Sequence, residues 1–425
     1  MAFYGGRGME EFIDESFFVD DPKQEKSPQI ELKTTGFERT FNERQVGSIT
    51  KAIEPVSDQN PLETLVDLFA AQPDLEAVPI EINNKVVGII DKEQVKELTS
   101  TAFKRFVAKD CGEYVRKVPL ILSTRDFLEN ILPKVTATAK EHDIKHFVVL
   151  INNRNFYGIA SLEDIRTKIE ELRVQDLEKA RAIQQYMLPT KKDLTLLPFK
   201  THIWNKMANP VGGDFFVAQK IVTDSYILGV FDVSGKNVSA ALLTVTIGSF
   251  FEMIKTFSQE KINAYSLASM LDSYLESIVP VGNFITGALC YVDMSTKEVN
   301  IVNCGHDDVY ALIRNDDNKI KFATLPPTLP PFGMNSIAEE LKKTGKGGYK
   351  LALQKGLQIN LFSDGLPDMQ NDEGTRFDTE NTKKFFIDVY TKDSQTFEPF
   401  VEETVTEWIE HSMLPDDITV MNIQF

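Results

Sequence analysis

The stretch YILGVFDVSGKNVSAAL, residues 226–242, decides how the C-terminal part of this chain folds. Its apolar run from Tyr226 to Phe231 predicts a buried strand. Asp232 follows where that strand ends, a Ser-Gly turn comes next, and an alanine- and leucine-rich segment from Val238 predicts a helix. Taken alone, Asp232 fits a turn or helix-cap residue as well as a ligand presented on a rigid scaffold, so the other carboxylates of the chain must decide.

Acidic side chains dominate the 425 residues, with 63 Asp and Glu against 46 Lys and Arg and a formal net charge of −17. This charge argues against nucleic acid or an anionic membrane as the main partner. Three scattered cysteines cannot build a disulfide framework or a zinc motif, and they predict a reducing cytoplasm. Because no long apolar run and no signal-like N-terminus is present, we expect no membrane span. The length predicts two or three domains.

The N-terminal residues 1–44 combine glycine and charged residues with scattered phenylalanines. Their composition predicts a flexible acidic tail, with a docking arm for a partner as the alternative.

A weak internal repeat occupies residues 45–168. Each copy predicts helix–strand–strand–helix after a short leading strand, and Gly88 and Gly158 are equivalent positions 70 residues apart. Such a unit cannot bury both sheet faces alone, so we expect the copies to pair. The pattern resembles a tandem pair of cystathionine-β-synthase (CBS) domains, which implies an α/β regulatory module.

In the CBS family a Gly-x-x-Thr/Ser-x-x-Asp segment often holds a nucleotide. The second copy matches with Gly158, Ser161 and Asp164, whereas the first has Asp91 and Gln94 instead. The resemblance therefore implies at most one site, for an adenine nucleotide. The alternative is that Ser161 and Asp164 form a helix N-terminus.

Residues 163–188 predict one continuous charged helix with an imperfect apolar stripe, ending before Pro189. Its stripe is consistent with core packing or with a parallel coiled coil, which would make a homodimer seam and a signal transmitter between domains.

The remaining C-terminal sequence predicts an α+β sandwich, with strands before and after a pair of long helices. We expect strands at 199–207, 214–221, 226–232, 284–293, 298–304, 308–314, 357–362 and 418–424, and helices at 238–257, 263–279, 380–391 and 398–412.

Four acidic positions in this region lie beside turns at predicted strand ends: Asp214 in VGGD, Asp232, Asp364 in FSDG, and the Asp416–Asp417 pair. Carboxylate-only sites suit hard cations such as Mg²⁺ and Mn²⁺. Two such ions would activate a water and clamp phosphate oxygens.

The ordered motifs VGGD, DVSGK, NCGH, FSDGL and DDITV resemble the metal-dependent protein phosphatases (PPM, phosphatase-2C-like) of the SpoIIE/RsbU type. The segment A-x-x-I-Q-x-x-M-L-P at 180–189 and FITGALCYVD at 284–293 are also similar to that family. The resemblance implies a phosphatase domain at 189–425, joined to the CBS pair by the helical linker.

The resemblance implies a role for each of these residues. Asp214 and Asp232 would bind two Mn²⁺ or Mg²⁺ ions with Asp232 bridging, the carbonyl of Val233 would be a further ligand, and Asp364 and Asp416 would complete the site. Asp417 is the less favoured member of its pair. An activated water would then attack a phosphoserine or phosphothreonine in line, without a phospho-enzyme.

Two further residues keep alternative interpretations. Lys236 would contact phosphate or, as we favour, stabilise its loop. His306 would be a general acid or, as the resemblance favours, a structural residue.

The resemblance implies a cytoplasmic protein phosphatase that acts on a phosphorylated anti-sigma-factor antagonist and is controlled by the CBS pair. One alternative is a pseudo-phosphatase, a nucleotide-sensing binding module without strong catalysis. The other is a phosphatase of a small phosphorylated molecule.

Overall fold

The computed structural model describes residues 41–101, 109–152, 154–235, 238–258, 260–280, 282–315, 317–334 and 336–425. The chain divides into two compact units, one that ends at Glu171 and one from Leu172 to Phe425. The predicted tail, residues 1–44, lies outside the described residues except for its last four.

The first unit contains two three-stranded sheets of the same design. In each, a short strand runs parallel to the middle strand, and the middle strand forms an antiparallel hairpin with the third. The internal repeat predicted from the sequence is thereby confirmed. Its elements are β1 (Val56–Ser57), α1 (Leu62–Ala71), β2 (Ala77–Ile82), β3 (Lys85–Asp91), α2 (Lys92–Leu98), β4 (Ile121–Ser123), α3 (Leu128–His142), β5 (His146–Ile151), β6 (Asn155–Ser161) and the start of α4 (Leu162–Tyr186).

The two copies are interleaved. The backbone of Lys51, which precedes the first copy, bonds to Ile159 in the second, and Arg116, which precedes the second, bonds to Ile89 in the first. A Cβ atom at Gly88 would lie 2.3 Å from the carbonyl oxygen of Arg116, and one at Gly158 would lie 2.2 Å from that of Lys51. Both glycines are therefore needed for these close crossings.

The second unit is a β-sandwich with helices on both outer faces. One sheet has the order β14-β11-β10-β9-β8 and the other β13-β12-β15-β16-β7. Apolar residues from both sheets share the core between them. The strands are β7 (Lys200–Lys206), β8 (Asp214–Val222), β9 (Ser225–Val233), β10 (Ile285–Asp293), β11 (Glu298–Cys304), β12 (Val309–Arg314), β13 (Ile320–Leu325), β14 (Tyr349–Ala352), β15 (Gln358–Phe362) and β16 (Ile418–Gln424).

Two pairs of helices cover the sandwich. Helices α6 (Val238–Phe257) and α7 (Ala264–Glu276) share a core with the outer face of the first sheet. Helices α10 (Asp378–Thr391) and α11 (Phe397–Ile409) share one with the outer face of the second. Shorter helices are α5 (Lys191–Thr195), α8 (Ile337–Thr344) and α9 (Gly365–Asp368).

All eight predicted strands and four predicted helices of this unit are confirmed, with bounds that shift by a few residues at most. The sequence prediction missed β13 and β14, which are edge strands with half-exposed side chains. It also missed the three short helices. Among the described residues, α6 alone is long and apolar enough to span a membrane. Its apolar residues belong to the core against the first sheet.

Candidate metal centre

Asp214 and Asp232 lie side by side on adjacent strands. Asp214 begins β8 and is paired in register with Asp232 near the end of β9. Residues paired in this way have Cβ atoms about 4.5–5.5 Å apart. The two carboxylates thus meet at one end of the first sheet, next to the turn of the stretch that begins at Tyr226.

Two hydroxyl groups from the second sheet bind Asp214. Its Oδ2 accepts hydrogen bonds from Ser363 Oγ at 2.7 Å and from Thr419 Oγ1 at 2.6 Å, and the residue is 2% exposed. Ser363 directly precedes Asp364, and Thr419 follows Asp416 by three positions. The structure therefore brings the four predicted aspartates together at one end of both sheets.

The carboxylate of Asp417, the residue after Asp416, binds backbone amides. Its carboxylate accepts backbone hydrogen bonds from Ala208 at 2.8 Å and Gly213 at 2.6 Å. A Cβ atom at Gly212 would lie 2.3 Å from Asp417 Oδ2, so the glycines of VGGD allow this carboxylate to approach the loop. Asp417 therefore holds the loop that presents Asp214.

Burial and like charges raise the pKa values of Asp214 and Asp232. The pKa of Asp232 rises to about 7, first because the side chain is buried and then because Asp364 and Asp416 are near. The pKa of Asp214 is raised well above its usual value by burial and by Asp232. A carboxylate cluster that repels itself in this way would be stabilised by divalent cations.

The donor set fits hard divalent ions, because it consists of carboxylate and backbone oxygens. The carboxylates of this donor set are spread over more space than the coordination sphere of one ion. Within the described ranges, the only group of His, Cys, Asp or Glu whose ligand atoms all lie within 4.8 Å of one another is the exposed set Asp372, Glu410 and His411. A two-ion site needs the larger span, since its ions are about 3.5–4 Å apart.

Two other predicted positions, Val233 and His306, lie around this centre. Val233 is 1% exposed, and its amide donates to the Gly213 carbonyl at 3.2 Å. His306 is buried, which lowers its pKa to about 4, and its Nδ1 lies 3.0 Å from Thr286 Oγ1. A neutral, buried imidazole favours the structural role for His306. Lys236 lies outside the described residues.

Several residues of the centre escaped the sequence prediction. Asp307 is half-buried, and its desolvation together with the nearby charges of Asp364 and Asp368 raises its pKa to about 7. The amide of Gln184 is buried and bonds to the Gly212 carbonyl at 2.7 Å and to Thr244 Oγ1 at 2.8 Å. The available signals were the acid directly after NCGH and the glutamine of the A-x-x-I-Q motif.

The predicted nucleotide residues form a helix cap. Ser161 Oγ accepts from the amide of Asp164 at 2.9 Å and donates to Asp164 Oδ2 at 2.7 Å, and Lys51 Nζ lies 3.4 Å from the same oxygen. In the first copy, Asp91 is 2.6 Å from His146 Nδ1 and Gln94 donates to a backbone carbonyl. The side chains of Asp91 and Gln94 therefore already have polar partners within the protein.

The sandwich has a PP2C-like fold. The SiaA-PP2C domain of Pseudomonas aeruginosa has this fold: the similarity covers 60% of this chain and 98% of that domain, with 20% identity and a TM-score of 0.50. Residues 223–425 match the family described as Stage II sporulation protein E (SpoIIE). The match covers 203 of the 425 residues.

Two other similarities are more limited. The phosphoserine phosphatase RsbP of Bacillus subtilis is 24% identical over 200 residues, which are 46% of this chain and 45% of RsbP. The chain thus aligns with less than half the length of that relative. The second similarity is to the CBS domain of a bacterial CNNM/CorC family Mg²⁺ transporter in complex with ATP. It covers 30% of this chain and 87% of that domain, with 16% identity and a TM-score of 0.25.

Because the pKa of Asp232 is raised, we expect a rise in pH to lower the stability of the folded protein and a bound divalent cation to increase it. Between its ordinary pKa of 3.8 and about 7, the folded protein holds a proton that the unfolded chain has released. The free energy of unfolding contributed by this group therefore falls as the pH rises through that window. Because a cation competes with this proton, we expect Mn²⁺ to raise the melting temperature more at pH 8 than at pH 6.

Thermal unfolding with and without Mn²⁺ at both pH values would measure this difference. In Asp232→Asn the pH dependence of the Mn²⁺ effect should shrink. An equal Mn²⁺ effect at pH 6 and pH 8 in the unmodified protein would contradict the prediction.

Proposed function

We propose that the protein is a Mn²⁺- or Mg²⁺-dependent phosphatase that hydrolyses phosphoserine or phosphothreonine on a protein substrate. The observation that carries this proposal is the link from Asp214 through Ser363 and Thr419, which gathers aspartates of both sheets into one acidic centre. When bound, two divalent cations would activate the attacking water and neutralise charge on the phosphate.

Each protein group has a defined part in this proposal. The hydroxyls of Ser363 and Thr419 fix the orientation of Asp214. Asp232 is paired in register with Asp214, and the charges of Asp364 and Asp416 raise its pKa, so Asp232 would be the ligand shared by both cations. With the Val233 carbonyl, these aspartates would hold the cations.

A phosphorylated anti-sigma-factor antagonist is the substrate that we propose. The family resemblance supports this choice, and the name phosphoserine phosphatase carried by RsbP supports phosphoserine as the target. A cytoplasmic location accords with three free, buried cysteines. A pseudo-phosphatase would show no turnover, and a small-molecule phosphatase would prefer phosphometabolites in a substrate screen.

Removing one metal ligand should abolish activity. In Asp232→Asn and in Asp364→Asn, Mn²⁺-dependent hydrolysis of a phosphoserine protein should fall by at least about a hundredfold, because the charge that holds the cations is lost. Initial rates over a range of Mn²⁺ concentrations would measure this. Asp372→Asn, in the exposed acidic group, is the matched control and should keep full activity. Full activity in both ligand variants would refute the metal centre.

We further propose that the repeat unit is a CBS pair that senses an adenine nucleotide and acts through the 163–188 helix. Support comes from Gln184 near the C-terminal end of α4, which bonds to Gly212 in the VGGD loop and to Thr244 on α6. A displacement of this helix end would disturb the loop that presents Asp214. Nucleotide binding would require Ser161 and Asp164 to release their mutual hydrogen bonds.

Nucleotide binding should depend on the second copy alone. We expect Asp164→Asn to weaken ATP or AMP binding about tenfold or more, because a charged hydrogen-bond acceptor is lost. Isothermal titration calorimetry would measure the affinity. Gln94→Ala, at the equivalent position of the first copy, is the control and should bind like the unmodified protein. Equal loss in both variants would contradict the assignment.

A homodimer through α4 is the assembly that we propose. Ile183, on the apolar stripe of this helix, is 60% exposed, and burial against a second copy would cover it. We expect light scattering to give twice the 48.0 kDa chain mass at micromolar concentration and Ile183→Asp to shift this towards the monomer. Phe257→Asp, on an exposed apolar residue of α6, is the control. A monomeric unmodified protein would refute the dimer.

A further inference from the structure

Asp272 on α7 is a buried carboxylate that binds three backbone amides of a neighbouring segment. Its side chain is 1% exposed. Oδ1 accepts from Gly333 at 2.9 Å and from Met334 at 3.3 Å, and Oδ2 accepts from Ile337 at 3.0 Å. Hydrogen bonds to a charged acceptor are stronger than those between neutral groups, so Asp272 fixes this segment firmly to the helix.

The segment that Asp272 holds continues from a stretch bound to the strands of the metal centre. The amides of Thr328 and Leu329 both donate to the Asn303 carbonyl, at 3.0 and 3.1 Å. Phe332 exchanges two backbone hydrogen bonds with Ile285, of 2.8 and 3.2 Å. The segment therefore covers the ends of β10 and β11, and Asp272 secures it immediately after Phe332.

Phe332 extends this contact to the strand that carries Asp232. Its side chain is fully buried, and its ring centroid lies 5.8 Å from that of Phe231, the residue before Asp232. Ile285, its backbone partner, is paired in register with Val233. Asp272 is thus connected through a few rigid contacts to the backbone of Asp232 and Val233.

The next residue of β10 adds a second route. Thr286 is paired with Asp232, and its hydroxyl lies 3.0 Å from His306 Nδ1. The amide of His306 in turn donates to Asn303 Oδ1 at 3.0 Å. Since the covering segment binds the backbone of both Ile285 and Asn303, it supports the two sides of this arrangement.

We propose that Asp272 is a positioning residue of the metal centre, which sets the backbone of Asp232 and Val233 through the described stretches 328–334 and 336–337. The proposal rests on the metal centre of the proposed function. Residues that orient metal ligands without touching the metal typically alter affinity by about 10- to 100-fold when they are changed.

The test is to measure Mn²⁺ binding to Asp272→Asn directly. Electron paramagnetic resonance of the free ion would report how much Mn²⁺ is bound. Asparagine keeps one acceptor oxygen and turns an NH₂ group towards an amide that has lost its partner. The Mn²⁺ dissociation constant should rise roughly 10-fold or more. A purely structural role would lower the melting temperature and leave this constant unchanged, which would overturn the proposal.

Asp293→Asn is the matched control. Asp293 lies at the opposite end of β10, and its Oδ1 likewise accepts backbone hydrogen bonds, from Ser295 at 2.9 Å and Thr296 at 3.2 Å. This variant should keep the Mn²⁺ affinity of the unmodified protein, and a loss equal to that of Asp272→Asn would overturn the proposal.

A second variant covers the case in which Asp272→Asn fails to fold. Met334→Pro removes one amide donor at a residue that is 52% exposed, and a smaller rise of the dissociation constant is expected. An unchanged constant would refute the positioning role.

Asp232→Asn separates the two hypotheses. If it loses Mn²⁺ binding while the Asp272 and Met334 variants bind normally, only the positioning role fails. If Asp232→Asn itself binds Mn²⁺ normally, the proposed metal centre fails as well.

Discussion

Repulsion among clustered carboxylates is the constraint on which the rest of the second unit depends. Asp214 and Asp232 are adjacent in register, and Asp364 and Asp416 are close enough to raise the pKa of Asp232. Such a cluster opposes folding unless protons or cations neutralise it. The surrounding sandwich must therefore be rigid enough to hold the charges together, and its three apolar cores supply that rigidity.

The protein holds these charges with neutral donors. Serine and threonine hydroxyls bind Asp214, and backbone amides bind Asp417 and Asp272. Neutral donors orient a carboxylate and leave its negative charge in place. A lysine or arginine would neutralise that charge. The centre thus keeps the negative potential that attracts divalent ions while its geometry is fixed. A carboxylate that we propose as a metal ligand and one that shapes the backbone lie next to each other in sequence, as Asp416 and Asp417 do.

The sequence was sufficient for the main elements because they have strong periodic signals. Buried strands such as β9 and β15 read as apolar runs, and the aspartates stand out because each follows or precedes such a run at a turn. The edge strands β13 and β14 alternate weakly and are paired on one side only, so their signal is poor.

The supporting contacts could not be predicted, because they depend on tertiary pairing. Nothing in the sequence near Ser363 or Thr419 indicates that both hydroxyls reach Asp214, more than a hundred residues earlier in the chain. Gln184 was visible within a motif, but its partners Gly212 and Thr244 are defined only by the folded domain. Asp272 sits in an otherwise ordinary amphipathic helix. The role of a buried polar residue depends on its hydrogen-bond partners in the folded protein, and local sequence patterns do not specify those partners.

The crossing of Lys51 onto Ile159 and of Arg116 onto Ile89 has a consequence for the way the N-terminal unit forms. The hairpin of the first copy lacks one of its backbone neighbours until Arg116 has been synthesised, and Lys51 has no partner until the ribosome has passed Ile159. Contacts of such long sequence separation slow folding. The first copy would thus leave the ribosome as an incomplete fold, and the whole repeat pair would close in one late, cooperative step.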